Sequence, residues 1–156
     1  MSFDSFDAQK YFTIDEANAM LPLVRAIAAD LVNVSRTVVD RRQRLDQIAA
    51  DQVRPDDDPY AAELAQIEEE VAKDSERLKG YVEELMQLGV EPKSVTLGLV
   101  DFPTMIDGRP AYLCWKYDEP EIIAWHEINA GFAQRKSLVA DISADHVGFT
   151  EAAEDF

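Results

Sequence analysis

From residue 14 to residue 88 the apolar positions recur with the period of a helix seam, and from residue 95 they take on the character of strands. "FTIDEA", residues 12–17, has the form of a helix start. Thr13 can cap, Glu16 stands three positions later as in a capping box, and Phe12 and Ala17 occupy the flanking staple positions. One seam then reads Ala17, Val24, Leu31, Val38, Leu45, and the other Met20, Ile27, Val34, Arg41, Ile48. Pro22 falls inside this run and predicts a kink near residues 18–22 or a second start there. "DDDPY" breaks the pattern, with Asp58 as a cap and Pro59 as a first helical residue. A second pair of seams follows, Leu64, Val71, Leu78, Leu85 and Ile67, Asp74, Tyr81, Leu88, and Gly89 supplies the stop. The spacing predicts helices over residues 14–52 and 59–88. Folded together they make an antiparallel, coiled-coil-like hairpin roughly 45–55 Å long at about 1.5 Å per residue.

Each helix carries one charged break in its seam, Arg41 and Asp74. Folding the chain at residues 53–58 brings these two within about one helical turn, and the expectation is that they pair and fix the register. The apolar stripe is broad around Met20–Val32 and narrows toward Leu45 and Ile48. A narrow two-helix stalk buries little, so the hairpin is expected to form a homo-oligomer or to end in a mobile tip.

"VTLGLVDF" and "AYLCWKY" are rich in β-branched and aromatic residues, and "IDGR" lies between them with a strong Asp-Gly turn signal. A two-residue turn at Asp107-Gly108 sets Phe102 opposite Leu113, Val100 opposite Trp115 and Asp101 opposite Cys114. Val100, Phe102, Leu113, Trp115 and Tyr117 then form a core face, while Leu99, Asp101, Tyr112, Cys114 and Lys116 face the other way. Pro103 and Pro110 are expected to weaken the ladder near the turn. "DEPE" reads as a turn, and "IIAWHEIN" as a third strand in preference to a short helix. The fold class is therefore α+β, a long antiparallel helical hairpin followed by a small antiparallel β-meander packed at its base. Residues 1–138 make one domain, with the hairpin over 13–89 and the sheet region over 95–138. Residues 139–156 form an acidic tail, expected to be loosely held.

Charge narrows the function. Asp and Glu number 31 against 15 Lys and Arg, a formal charge of −16. That argues against nucleic acid and against anionic membranes, which would repel the chain. It is compatible with a solvated surface, a basic partner or a cation. The single cysteine, Cys114, excludes an internal disulfide, and "MSFDSFDAQKYF" lacks the basic and apolar regions of a signal peptide. The apolar run "AMLPLV" is too short to span a bilayer. The expectation is a cytoplasmic protein without a membrane or nucleic-acid partner.

"YFTIDEANAMLPLVR", "LGLVDFPTMIDGRPAYLCWKYDEPEI" and "WHEINAGFAQRKSL" together resemble the bacterial family catalogued as domain of unknown function 2203. The resemblance runs from about Tyr11 to Leu138, with a variable helical middle, and the last two tracts are specific. It brings no established activity. It implies that the hallmark positions lie in the sheet region and include Asp101, Tyr112, Cys114, Trp115, Trp125, His126, Glu127 and Arg135.

Three kinds of chemistry are open to these residues. Asp101, Cys114, His126 and Glu127 are metal-ligand types that a small sheet brings near one another, and a divalent metal such as zinc is the candidate cofactor. No CxxC or HExxH accompanies them, and adjacent His and Glu do not converge naturally on one atom. Cys114 with His126 as base would be a thiol nucleophile, which needs an exposed, electropositive setting. Tyr112, Trp115, Trp125 and Phe132 could wall a small-ligand pocket, with His126, Glu127 and Arg135 as polar contacts. Against all three stands the possibility that the aromatics and the cysteine are ordinary core. No nucleotide-binding glycine motif occurs. The favoured reading is a binding or scaffold module whose sheet region takes a metal or small ligand. The alternative is a small metal-dependent or acid/base enzyme of hydrolase type centred on His126.

Overall fold

A computed structural model describes residues 10–50 and 60–138. The expected cap at Asp58, the helix start at Pro59, the bend at 53–58 and the acidic tail lie outside the described residues. Helix α1 spans Ile14–Ala50 and α2 spans Tyr60–Gln87. The capping box forms as the sequence predicts: Glu16 N donates to Thr13 Oγ1 and Thr13 N to Glu16 Oε1, both at 3.0 Å. Phe12 and Ala17 are both buried. Helix α1 runs unbroken through Pro22, so no second start occurs there. It presents two buried faces. Val24, Leu31 and Val38 follow the expected seam, and Leu21, Ala28, Val32 and Ser35 form a further buried row. Helix α1 also holds a window of mean hydropathy 1.3, long and apolar enough by itself to cross a bilayer. Its buried residues Ala17, Leu21, Val24, Ile27, Ala28 and Leu31 belong to the hydrophobic core, the ordinary use of such a window in a core helix.

Helix α2 buries only Ile67, Asp74 and Leu85. It ends at Gly89 (φ 87°), with Gly89 N bonded to Met86 O and Val90 N to Leu85 O, each at 3.0 Å. This reciprocal pattern satisfies two terminal carbonyls and needs the left-handed residue that glycine supplies. Arg41 pairs with Asp74 across the hairpin, as the seam breaks predict. Glu70 adds to Arg41 at 3.4 Å, and Arg77 adds to Asp74 at 3.3 Å.

The sheet has five antiparallel strands in sequence order: β1 Glu91–Ser94, β2 Leu99–Ile106, β3 Arg109–Lys116, β4 Ala124–Glu127 and β5 Lys136–Ser137. The central hairpin has the predicted register, with Val100 opposite Trp115, Asp101 opposite Cys114 and Phe102 opposite Leu113. Its turn has Asp107 at φ 52° and Gly108 at φ 75°, the mirror-image turn that suits strand twist. Pro103 and Pro110 sit inside continuous strands. Beyond the first residue of β1, Glu91, the entry segment takes over along β2: Phe12 N donates to Pro103 O at 2.7 Å, and Thr104 Oγ1 donates to Phe12 O at 2.6 Å.

The start of the sheet needs correction. The sheet begins at Glu91 rather than 95, and residues 95–98 form the turn between β1 and β2. At Gly98 (φ 65°) a Cβ would lie 2.5 Å from Tyr117 Cβ and 2.9 Å from Val32 Cγ2, so the chain must turn there without a side chain. "IIAWHEIN" contains a strand, β4, as preferred. Val100, Phe102, Leu113, Trp115 and Trp125 face the helices and join Leu21, Val24, Ala28 and Leu31 in one core.

Candidate metal centre

Alternation along three strands builds the site on the sheet face turned away from the helices. Glu91, Asp101, Cys114 and Ala124 lie in one row across β1 to β4, because each is opposite the next. Tyr112 and His126 form the neighbouring row on the same face. This outer face is not solvated at its centre. Asp101 is 2 %, His126 2 % and Cys114 0 % exposed.

His126 is held at both ring nitrogens. Nδ1 lies 2.8 Å from the carbonyl oxygen of Glu127, which can only accept, so Nδ1 carries the proton. Nε2 lies 2.9 Å from Asp101 Oδ2. A proton must sit between those two atoms, as an imidazolium beside a carboxylate or as a neutral pair sharing it. Burial lowers the pKa of His126, but its bonds to Asp101 and to the Glu127 carbonyl outweigh burial and the net shift is upward. The second oxygen of Asp101, Oδ1, is buried and, among the described residues, receives no N–H or O–H; the protonated Cys114 thiol is the weak donor beside this carboxylate. A carboxylate oxygen left that way is costly unless something else satisfies it.

Cys114 completes the cluster. One ligand atom each from Asp101, Cys114 and His126 fall within 4.8 Å of one another. Ligand atoms around a tetrahedral zinc with bonds of about 2.0–2.3 Å stand roughly 3.3–3.8 Å apart, so a contraction of about 1 Å closes the set. Burial, with help from Asp101, pushes the Cys114 thiol up to about 12, against an opposing pull from Arg135. A thiol so placed stays protonated at neutral pH and is a poor nucleophile without a cation. His126 cannot serve it as a base either, since Glu127 O and Asp101 take both ring nitrogens. The Cys–His nucleophile, the disfavoured candidate from the sequence, is therefore not assembled. The tautomer does suit a metal, with Nδ1 anchored on a carbonyl and Nε2 directed at the other ligands.

Two polar groups flank the cluster. On one side Arg135 makes a two-pronged pair with Glu119, at 3.1 and 2.6 Å, and its guanidinium lies beside the Cys114 thiol. Glu119 is fixed in turn by Lys116 N at 2.9 Å, and its carbonyl receives Trp115 Nε1 at 2.9 Å. On the other side the Tyr112 hydroxyl reaches both oxygens of Glu91, at 3.0 and 3.1 Å, with Lys93 bonded to Glu91 at 3.0 Å. Burial first, then Glu91, raises the Tyr112 phenol, which stays protonated.

The sequence-derived site residues divide between the two faces. Asp101, Tyr112, Cys114, His126 and Arg135 come together on the outer face. Glu127 does not join them: it lies opposite Ala111 on the helix-side face, exposed, and pairs with Lys136 at 3.3 Å. One residue from His126, strand alternation sends it the other way. Trp115 and Trp125 are core residues on that helix-side face, and Phe132 is exposed beneath the Arg135 guanidinium, so these aromatics wall no common pocket. A shallow cleft of about 290 Å³ does exist, lined by Ile106, Arg109, Ala111, Trp125, Glu127 and Asn129 among others, and it includes none of the three cluster residues. Sequence reasoning missed Glu91, Lys93 and Glu119. Glu91 and Lys93 lie on a strand whose "EPKS" carries no strand signal, and Glu119 meets Arg135 only through the path of the loop.

Comparison with known proteins adds the family. A family profile described as "Uncharacterized conserved protein (DUF2203)" matches residues 10–138. No curated protein and no solved structure matches the chain. The match covers every described helix and strand, and the chain belongs to this family.

Proposed function

We propose that this member of the DUF2203 family is a cation-binding module that holds one divalent transition metal of the zinc class. The ligands are the Asp101 carboxylate, the Cys114 thiolate and His126 Nε2. The observation that carries the reading is a cluster of three different ligand atoms in which Asp101 Oδ1 is buried and, among the described residues, has no donor stronger than the Cys114 thiol. A cation bound there satisfies that oxygen and replaces the proton between Nε2 and Oδ2. It also lets Cys114 ionise where burial otherwise forbids it. One carboxylate, one thiolate and a neutral imidazole balance a doubly charged ion, and a mixed N/O/S set favours zinc over magnesium or calcium.

The role is binding rather than turnover. The three ligands are at most 2 % exposed, and the cleft of the sheet region lies at residues outside the cluster. In this reading the hairpin is the assembly arm of a cytoplasmic homo-oligomer. Its support is the half-buried seam residues Leu64, Val71 and Leu78 on α2.

Elemental analysis of untagged protein prepared without chelators tests the metal, beside His126→Ala and Cys114→Ser. About one zinc-class ion per chain, lost in both variants, is the expected result. Wild-type protein that neither carries such an ion nor takes up zinc or cobalt at pH 8 overturns the reading. Light scattering of the wild type tests the oligomer, and a monomer at all concentrations removes that part.

A further inference from the structure

Three protein ligands leave a tetrahedral ion one position short. We infer that Glu91 fills it: the Glu91 carboxylate is the fourth ligand of the metal centre and the first to capture an incoming cation. The inference rests on the metal-binding reading above.

Glu91 lies outside the three-residue cluster, and the backbone sets it one strand away, directly opposite Asp101. Glu91 and Asp101 are direct partners on adjacent antiparallel strands, so their side chains leave the same face with Cβ atoms roughly 4.5–5.5 Å apart. Asp101 is in turn the direct partner of Cys114. The row Glu91–Asp101–Cys114 therefore carries two carboxylates and a thiol side by side, with His126 diagonal to Cys114. Glu91 is the half-buried member of this row, whereas Asp101 and Cys114 are fully buried. A cation arriving from water meets Glu91 before it meets the other three.

Tyr112 holds Glu91 ready. Its hydroxyl bridges both Glu91 oxygens, and its ring packs 5.5 Å from the His126 ring. A neutral phenol cannot follow the carboxylate onto a metal as a second anion, so exchange of Tyr112 for the ion is a one-ligand step. Glu119 on the opposite flank comes from the loop between β3 and β4 rather than from the row, and it is held by the Arg135 guanidinium instead of a neutral phenol. The strand is suited to the movement. β1 is an edge strand with a register irregularity between Pro92 and Ser94, where a small shift costs little ladder. Two carboxylates and a thiolate around a doubly charged ion leave one negative charge in excess. Lys93 beside Glu91 offsets it.

Cobalt(II) titration of the metal-free protein at pH 8, with a chromophoric chelator as competitor, tests this in wild type, Glu91→Gln, Tyr112→Phe and Glu127→Gln. In wild type the expected spectrum combines thiolate-to-cobalt charge transfer with the intense visible bands of a four-coordinate ion. E91Q keeps the charge transfer from Cys114 but loses visible intensity as water enters the coordination, and its affinity falls at least about tenfold, as for other losses of metal-site support. E127Q removes the same charge from the other face and binds as wild type does. Y112F binds as tightly as wild type or more tightly, because it releases Glu91. E91Q with wild-type affinity and spectrum overturns the inference and leaves the three-ligand site standing. An equal loss in E91Q and E127Q reduces Glu91 to bulk charge and also overturns it. A wild type that binds no cobalt fails the metal-binding reading itself, which is a different result.

Discussion

Leu113 and Cys114 are consecutive on β3 and both 0 % exposed, yet they are buried in unlike surroundings. Leu113 faces α1 among Val100, Phe102, Trp115 and Trp125, where burial removes carbon from water and contributes about 1.5–3 kcal/mol per large side chain. Cys114 faces Asp101, His126 and Arg135, where burial strips water from groups that need it. The helix-side face works by area and is indifferent to protons and metals. The outer face depends on protons, and in the proposed reading on a metal as well, because its polar atoms are satisfied in only some charge states. A domain of this size with an adequate apolar core on one face has no structural need of a titratable cluster on the other. That contrast favours a functional reading of the cluster.

The largest expected effect lies on the apolar face. Trp115→Ala should destabilise the protein by about 3–5 kcal/mol in urea unfolding, through cavity formation and the lost indole bond to Glu119 O. The loss should be the same at pH 6 and pH 8.5, and the same with and without zinc. A difference above about 1 kcal/mol between these conditions would break the comparison, since it would tie the apolar face to the polar one.

Next comes the buried pair. In metal-free protein His126→Ala should cost about 3 kcal/mol at pH 6, because buried Asp101 loses the imidazole and keeps only the weak Cys114 thiol as a donor. Asp101→Ala added to that variant should cost little more, so the double mutant cycle should return a coupling of about 1–3 kcal/mol. Additive losses would mean that the two side chains act separately.

The same pair sets a pH dependence. The folded pKa of His126 lies above its usual value of about 6.5. Stability from the charged imidazole is therefore complete below that value and is lost as pH rises through the folded pKa. Metal-free protein should melt a few degrees lower at pH 8.5 than at pH 6, by calorimetry, and His126→Ala should abolish the difference. Zinc affinity should run the other way and strengthen with pH, because binding expels the Cys114 proton and the shared Asp101–His126 proton. Parallel trends would contradict the site.

Much of this contrast is legible along the chain, and the illegible parts share a cause. The capping box at Thr13–Glu16, the Asp107-Gly108 turn and the strand alternation are local signals, and the turn alone sets Asp101 opposite Cys114. The strand β4 is legible from its Ile and Trp content, and alternation already separates Glu127 from His126. The strand β1 is not legible, because Pro92 and Lys93 are poor strand formers and its pairing depends on β2. Glu91 was hidden with it. Residues 95–98 misled for the opposite reason: Val95 and Thr96 favour strands, but the close approach of Gly98 to Val32 demands a turn. That Arg135 and Glu119 meet beside Cys114 on the outer face follows from the path of the loops before and after β4, which no local pattern encodes.

The smallest expected effect sharpens the comparison from outside the sheet. Arg41 and Asp74 are an ion pair of the hairpin, read from the seam breaks, and the Arg41 side chain is 34 % exposed, whereas the side chains of His126 and Asp101 are each 3 % exposed. Exposure weakens the pair and lets salt screen it, so the coupling between Arg41→Met and Asp74→Asn should be about 0.5–1 kcal/mol and should shrink in 1 M NaCl. The coupling between Asp101 and His126 should survive that salt. Exchanging the hairpin charges, Arg41→Asp with Asp74→Arg, should restore only part of the loss, because the new Asp would face Glu70 and the new Arg would face Arg77. Full restoration would mean that Glu70 and Arg77 contribute nothing to the seam. A salt-resistant coupling at Arg41–Asp74 would mean that this layer of the stalk is covered in solution, which is what an assembling hairpin predicts.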